Sequence, residues 1–259
     1  MLDIMTLLGL AIGFGAVYIV MFWGGTSHLL WHRDAFVLVF GGTFASMLIS
    51  TPMNIILRLP SAISHVIFAR RTLKPAYVIN TMVTLAEKAK RDGIFALQEE
   101  IPKLKDRFLS DGVMMLIDGL DATIVRENLL KEIIFIRKRH HQVSSIIRSM
   151  GTFSPIFGLL ATLLGVVQVL KSISDPKNLG SSMAIAVTGT FYGISAANFL
   201  FLPMANKLDA HTEEELLIKE VIIEGILAIQ KGDIPIIVNR KLQAFMAANV
   251  RSRKTPAGQ

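Results

Sequence analysis

A chain of 259 residues that is 52% hydrophobic, with mean hydropathy +0.51, is long enough for a large soluble domain, but its long charge-free runs favour a membrane protein. With no cysteine, a disulfide framework, a Cys-ligated zinc site and a cysteine nucleophile are all excluded. A net charge of +7 raises the question of nucleic-acid binding, but the bases border apolar runs without aromatic interleaving, so no nucleic-acid partner is expected.

Residues Ile4–Trp23, 36–57, 152–170 and 183–206 contain no Asp, Glu, Lys, Arg or His. Each is about 19 to 24 residues long, and roughly 20 apolar residues in a helix cross about 30 Å of hydrocarbon. Span 1 has Asp3 where a cleavable signal needs basic residues, and its apolar run is too long for a signal core, so it is read as retained. Gly9 and Gly13 within it form a weak small-xxx-small pattern. Trp23 and Trp31 read as interfacial aromatics, and His28 and His32 as solvated loop residues rather than metal ligands. Span 2 is expected to run to Leu57, with Pro52 near its inner end.

The segment 58–150 reads as helical. Residues 75–91 place Val78, Met82, Leu85 and Ala89 on one face, and Asp92-Gly93 stops that helix. Short helices are expected over 95–109, interrupted near Pro102, and over 111–120, followed by a long helical stretch over 122–150. The cluster Arg137-Lys138-Arg139-His140-His141 reads as a collar facing lipid headgroups. Beyond span 4 the helix is expected to continue, with Leu216, Leu217, Val221, Ile222, Ile226 and Leu227 as an apolar stripe. Gly232-Asp233-Ile234-Pro235 is a turn, 236–250 a last helix, and 251–259 a disordered tail. Of the 27 Lys and Arg, only Arg33, Lys171 and Lys177 lie outside 58–148 and the stretch from Lys207 onward. The positive-inside rule therefore places the large loop and both termini in the cytoplasm.

Spans 3 and 4 carry the informative constellation. Gly151, Pro155, Gly158, Thr162 and Gly165 alternate spacings of four and three, which puts them on one helix face. Ala186, Thr190, Gly193 and Ala197 repeat that stripe in span 4, with Gly189 beside it. Tight helix packing, with each Thr hydroxyl bonded to its own helix, is the plain reading of such stripes. The coincidence of Pro, Thr and Gly on one face instead favours a polar pathway, because Pro155 frees a backbone carbonyl that needs protein or water at membrane depth. Ion relays in membranes use carboxylates, and these spans contain none. The pathway is expected to receive its acid from a partner chain.

Several runs, in their order and spacing, carry a resemblance: Lys90-Arg91-Asp92-Gly93-Ile94-Phe95-Ala96-Leu97-Gln98-Glu99-Glu100, Asp111-Gly112-Val113-Met114-Met115-Leu116-Ile117-Asp118-Gly119, Pro155-Ile156-Phe157-Gly158-Leu159-Leu160-Ala161-Thr162-Leu163-Leu164-Gly165, Asp175-Pro176-Lys177, Gly189-Thr190-Phe191-Tyr192-Gly193 and Leu202-Pro203-Met204-Ala205-Asn206-Lys207-Leu208. Over nearly its whole length the chain resembles the A subunit of the flagellar motor stator, the MotA/PomA family, and more distantly ExbB and TolQ. The resemblance implies an all-α integral membrane protein of the bacterial inner membrane, with four transmembrane helices in two hairpins and a large helical cytoplasmic domain between spans 2 and 3. Its expected divisions are 1–57 for spans 1 and 2, 58–150 for the rotor-contacting domain, 151–206 for the ion-pathway spans, and 207–259 for the C-terminal helices and tail.

It further implies five A subunits around two B subunits, whose single transmembrane helix carries the ion-binding Asp, and ion flow turning the ring against the rotor protein FliG. Pro155 and Pro203 match the family's functional prolines; Gly158, Thr162, Thr190 and Gly193 fall on the implied ion pathway. Lys90, with Arg91 beside it, matches the basic rotor contact. Gln98 stands where the family has an acid, so Glu99 or Glu100 is expected to substitute. No cofactor is implied beyond the translocated ion, Na⁺ or H⁺; hydroxyls at Thr162 and Thr190 lean slightly to Na⁺, although Gly189 stands where sodium-type members often have another Thr. The alternative, an ExbB/TolQ-like energiser of outer-membrane processes, typically has three spans against four here. An enzyme is not expected, because no metal-spaced His/Glu cluster, Gly-x-Ser-x-Gly or phosphate-binding loop is present.

Overall fold

The computed structural model describes residues 4–25, 31–67, 73–171 and 176–254, all helix or turn without a strand among them. The described residues hold four helices long and apolar enough to cross a membrane. The chain divides into two units, Met1–Arg70 with His140–Ala210 and Arg71–Arg139 with His211–Gln259.

The first unit contains the spans. Span 1, Ile4–Trp23, has no buried residue, so its apolar surface is left for lipid or another polypeptide. It meets span 4 through Phe199: a Cβ on Gly13 would lie 3.1 Å from the Phe199 ring, and the Phe14 and Phe199 rings sit 5.3 Å apart. Span 2 is Arg33–Ser50, with a wide π-helical turn over Val37–Gly41. It stops at Ser50 rather than running to Leu57. Thr51 is extended (φ −127°, ψ 130°), because the ring of Pro52 clashes with a helical residue before it. Two short helices, Met53–Ile56 and Leu59–Ile67, follow.

Span 3 is the second half of an unbroken helix, Ala122–Lys171, which passes through Pro155. Span 4 begins with Pro176–Ser195, widens into a π-helical turn at Ala196–Phe201 and continues as Leu202–Gln230. The wide turn directly precedes Pro203, which has no N–H to give the carbonyl four residues back. At the basic end of spans 3 and 4, Arg148 donates to Asn206 at 2.9 Å and to Asp209 at 2.7 Å. Lys207 donates to Thr6 of span 1. A small apolar cluster of Met47, Val143, Ile147, Met150 and Ala205 lies in the same unit.

The second unit is a water-type domain with its own core. Pro75 opens its first helix, Pro75–Asp92, at the position where a fixed φ and a missing N–H cost nothing. Gly93 closes it at φ 86°, a conformation that favours glycine. Val78, Met82 and Leu85 are buried as the stripe predicts, against Phe108, Leu109, Val113, Leu129 and the stripe of Leu216, Ile222 and Ile226. Each such side chain contributes about 1.5–3 kcal/mol of transfer free energy. Gly112 packs closely here: a Cβ would come 2.1 Å from Ile226 Cδ1, so the Ile226 side chain would have to move.

The expected helices over 95–109 and 111–120 are replaced by 3₁₀ turns at Ile94–Glu99 and Ile101–Lys103 and one α-helix, Arg107–Ile117. Pro102 at the start of the second turn and the Asp106 cap explain the division: the Asp106 carboxylate accepts the Leu109 N–H at 3.0 Å, starting a new helix at Arg107. The last helix is Pro235–Lys254, longer than predicted. Residues 251–254, expected in the tail, are therefore helical, and 255–259 lie outside the described residues, as do His28 and Asp175.

Candidate functional site

The small-residue stripes of spans 3 and 4 face each other. Cβ atoms added to Gly158 would lie 2.9 Å from the Gly189 carbonyl, to Gly165 2.6 Å from Ala186 Cβ, and to Gly193 2.6 Å from the Ser154 carbonyl. Backbone is thus packed against backbone along the hairpin, which only Gly and Ala allow. Ser154, fully buried, donates its hydroxyl to the Gly193 carbonyl at 3.1 Å and locks the register.

Within this seam the Thr162 and Thr190 hydroxyls bond to each other. Thr162 Oγ1 also lies 3.2 Å from the Gly158 carbonyl and 3.3 Å from that of Ala186. Thr190 Oγ1 lies 3.3 Å and 3.2 Å from the same two oxygens. The result is a diamond of four oxygens, two hydroxyls facing each other between two carbonyls. Both threonines are half-buried, whereas Ser154 and Gly158 are buried. The threonines thus keep part of their surface outside the seam. Around it Leu159, Leu163, Val187 and Ile194 are all more than half exposed, which leaves an apolar surface for lipid or another polypeptide.

The expected pathway residues do not converge on one point. Pro155, half-exposed, lies on the same helix face as Thr162, about 10 Å along the axis. Pro203 is exposed and about 20 Å of helical rise beyond Thr190. Gly158 and Gly193 are consumed by helix contact within the chain. Ser154 and Ala161 were not singled out in the sequence, although Ser154 sits directly before Pro155 on the stripe. Ala161 is fully buried where a Cβ on Gly189 would come 2.2 Å from its own.

The second candidate surface, in the other unit, surrounds Gly93. Lys90 is exposed and enters no ion pair among the described residues. Arg91, also exposed, pairs bidentately with Asp92 at 2.9 and 2.8 Å. These hydrogen bonds hold the Asp92 carboxyl below its ordinary value. Among the acids, Glu100 is held 2.8 Å from Lys88 and 2.9 Å from Lys103, with a side chain only 20% exposed. Glu99 pairs with Lys88 at 2.8 Å yet stays 77% exposed. Of the two acids beside Gln98, Glu99 is the one presented outward, and Gln98 itself is exposed. Lys88, 18% exposed, organises both carboxylates; its only sequence signal is a position one turn before Asp92. Hydrogen bonds to Glu100, then to Glu99, raise the Lys88 ammonium above its ordinary value, and the same contacts lower Glu100.

The model of the MotA/TolQ/ExbB proton channel family matches residues 100–221. Motility protein A of Borreliella burgdorferi is 32% identical over 253 residues, covering 97% of each chain. The chain belongs to the motility protein A family. Chemotaxis protein PomA of Vibrio alginolyticus is 32% identical, over 97% of this chain and 98% of its own. The flagellar MotAB stator complex of Bacillus subtilis superposes with a TM-score of 0.87 at 28% identity, over 96% of this chain and 98% of that one. The likeness is thus full-length, and the stretch matching the broader channel family includes Pro155, Thr162, Thr190 and Pro203.

Proposed function

We propose that this chain is the A-type subunit of a flagellar stator, which with a B-type subunit forms an ion channel that couples Na⁺ or H⁺ flow to torque on the rotor. One observation carries the reading: a cluster of oxygens at Thr162 and Thr190, between two spans that contain no acid. An ion entering hydrocarbon needs a counter-charge, and a charge at the bilayer centre costs about 2.5–3.5 kcal/mol on insertion scales. A carboxylate from the B subunit, seated beside the two threonines, supplies that counter-charge. Oxygen ligands suit a hard cation, which favours Na⁺ over H⁺.

The remaining assignments follow the stator reading. The complex sits in the inner membrane with both termini and the helical unit in the cytoplasm, as the bases at Arg58, Arg148 and Lys207 favour. Five copies surround two B subunits. Pro155, Thr162, Thr190 and Pro203 line the ion pathway, and Gly158 and Gly193 hold the two spans close enough for the threonines to meet. Lys90, Arg91, Gln98, Glu99 and Glu100 contact FliG, where charge steers a transient encounter. The protein acts as a channel and motor subunit and not as an enzyme.

Complementation tests this reading. Expressed with its B-type partner in a bacterium lacking stators, the chain restores rotation whose speed follows external sodium. Rotation independent of sodium would assign the proton instead, and no rotation would reject the stator function.

A further inference from the structure

Phe95 is the most exposed large apolar side chain described in the second unit, ahead of Phe135 at 69%. It is 77% exposed and makes no ring contact among the described residues. A single exposed apolar residue is ordinary on a protein surface; its setting here is not. Gly93, at φ 86°, turns the chain sharply at the end of Pro75–Asp92. The following 3₁₀ turn, Ile94–Glu99, eclipses residues three apart. Leu97 is fully buried and Ile94 packs on the same core, which forces Phe95 and Gln98 onto the outward ridge. The aromatic ring is therefore held out to solvent by a core that cannot roll over.

Charge around this ridge is largely spent within the chain. Arg91 is matched by Asp92, and Glu99 and Glu100 by Lys88 together with Lys103. Exposed pairs of this kind are worth about 0–1 kcal/mol and are screened by salt, so they steer an encounter and hold it poorly. Lys90 enters no ion pair among the described residues, and neither does Glu87 one turn before it. An exposed aromatic close in sequence to a cation outside any ion pair, rimmed by paired charges, has the anatomy of an interface centre.

We infer that Phe95 is the apolar anchor of the rotor-docking surface, inserting into an apolar pocket of the rotor protein that has a carboxylate beside it for Lys90. The inference rests on the stator reading and adds to it a contact that is not electrostatic. The core below Phe95 is complete without it, so its replacement leaves the fold intact.

The test uses the full chain, fluorescently tagged, with its B-type partner in a stator-less strain. Stator units per motor are counted at two salt concentrations, and membrane levels and thermal melting of the purified complex are measured alongside. Phe95→Ser is expected to lower occupancy at least about tenfold, by a factor that salt does not change, with melting unaltered. Phe95→Leu is expected to recover occupancy to within about twofold, and Ile236→Ser, at a 64% exposed apolar residue elsewhere, to have no effect. Normal occupancy for Phe95→Ser, or a loss that vanishes at low salt, would overturn the inference while the stator reading stands. Failure of the unaltered chain to reach motors at all would overturn both.

Discussion

Ser154 and Gly193 are joined twice over: the Ser154 hydroxyl donates to the Gly193 carbonyl at 3.1 Å, while a Cβ on Gly193 would sit 2.6 Å from the Ser154 carbonyl. Spans 3 and 4 are therefore a welded pair rather than two loosely associated helices. This sets the geometry of the threonine diamond two turns away, because Thr162 and Thr190 can meet only if the backbones stay this close.

Gly193→Val is expected to split that seam. Backbone and not a flexible side chain opposes the new methyls, so the cost is about 1–3 kcal/mol of overpacking. Thermal melting of the purified complex should fall, and motility should be lost with it. Gly9→Ala, where nothing lies within 4 Å of the new Cβ, is the matched control.

Thr162→Ala and Thr190→Ala each remove one hydroxyl from the diamond and leave its carbonyls in place. Cross-helix hydrogen bonds in membranes are worth about 0.6–2 kcal/mol, so assembly should survive. Swimming speed at limiting ion concentration should fall in both. Unchanged speed in both variants, with normal assembly, would count against a role in ion passage.

Reversing Lys90 and Arg91 together to Glu should impair recruitment or torque, and a reversed charge on the rotor should restore it. The Arg91 contribution is expected to be the smaller, because Asp92 already matches that charge.

The Lys88 bridge gives a pH signature to the loop over 94–103. Glu100 is lowered from 4.5, so its share of stability is complete above that value and is lost as pH falls through the lowered one. Lys88 is raised from 10.5, so its share is complete below that value and is lost as pH rises through the raised one. Amide exchange in this loop should be protected evenly between those limits and loosen on the acid side first. Lys88→Met should shrink the acid step, leaving the share that Lys103 holds on Glu100.

The membrane architecture was legible because a lipid-facing helix must be apolar all round, and that leaves long charge-free runs such as Ile4–Trp23. The core stripes at Val78, Met82 and Leu85 and at Leu216, Ile222 and Ile226 were legible from helical period. What escaped was local. The 3₁₀ turns at 94–103 have too few residues for a period to show, and the early stop of span 2 at Ser50 is written in the pairing of Thr51 with Pro52 and not in hydropathy. At the candidate pathway, the stripe was visible but its use was only half so. One face cannot serve both as a helix seam and as a lining, and the sequence of one helix does not say which neighbour it meets. The glycines went to the seam, and the two threonines stayed half-buried beside them. The compensation of Glu99 and Glu100 by Lys88 joins residues on either side of the Gly93 turn, which spacing along a single helix cannot show.

Ion flux through reconstituted vesicles tests the central claim, that this hairpin is half of a channel whose acid comes from a second chain. The purified chain alone should conduct neither Na⁺ nor H⁺, and the same chain with its B-type partner should conduct. Specific flux through the chain by itself would contradict the account.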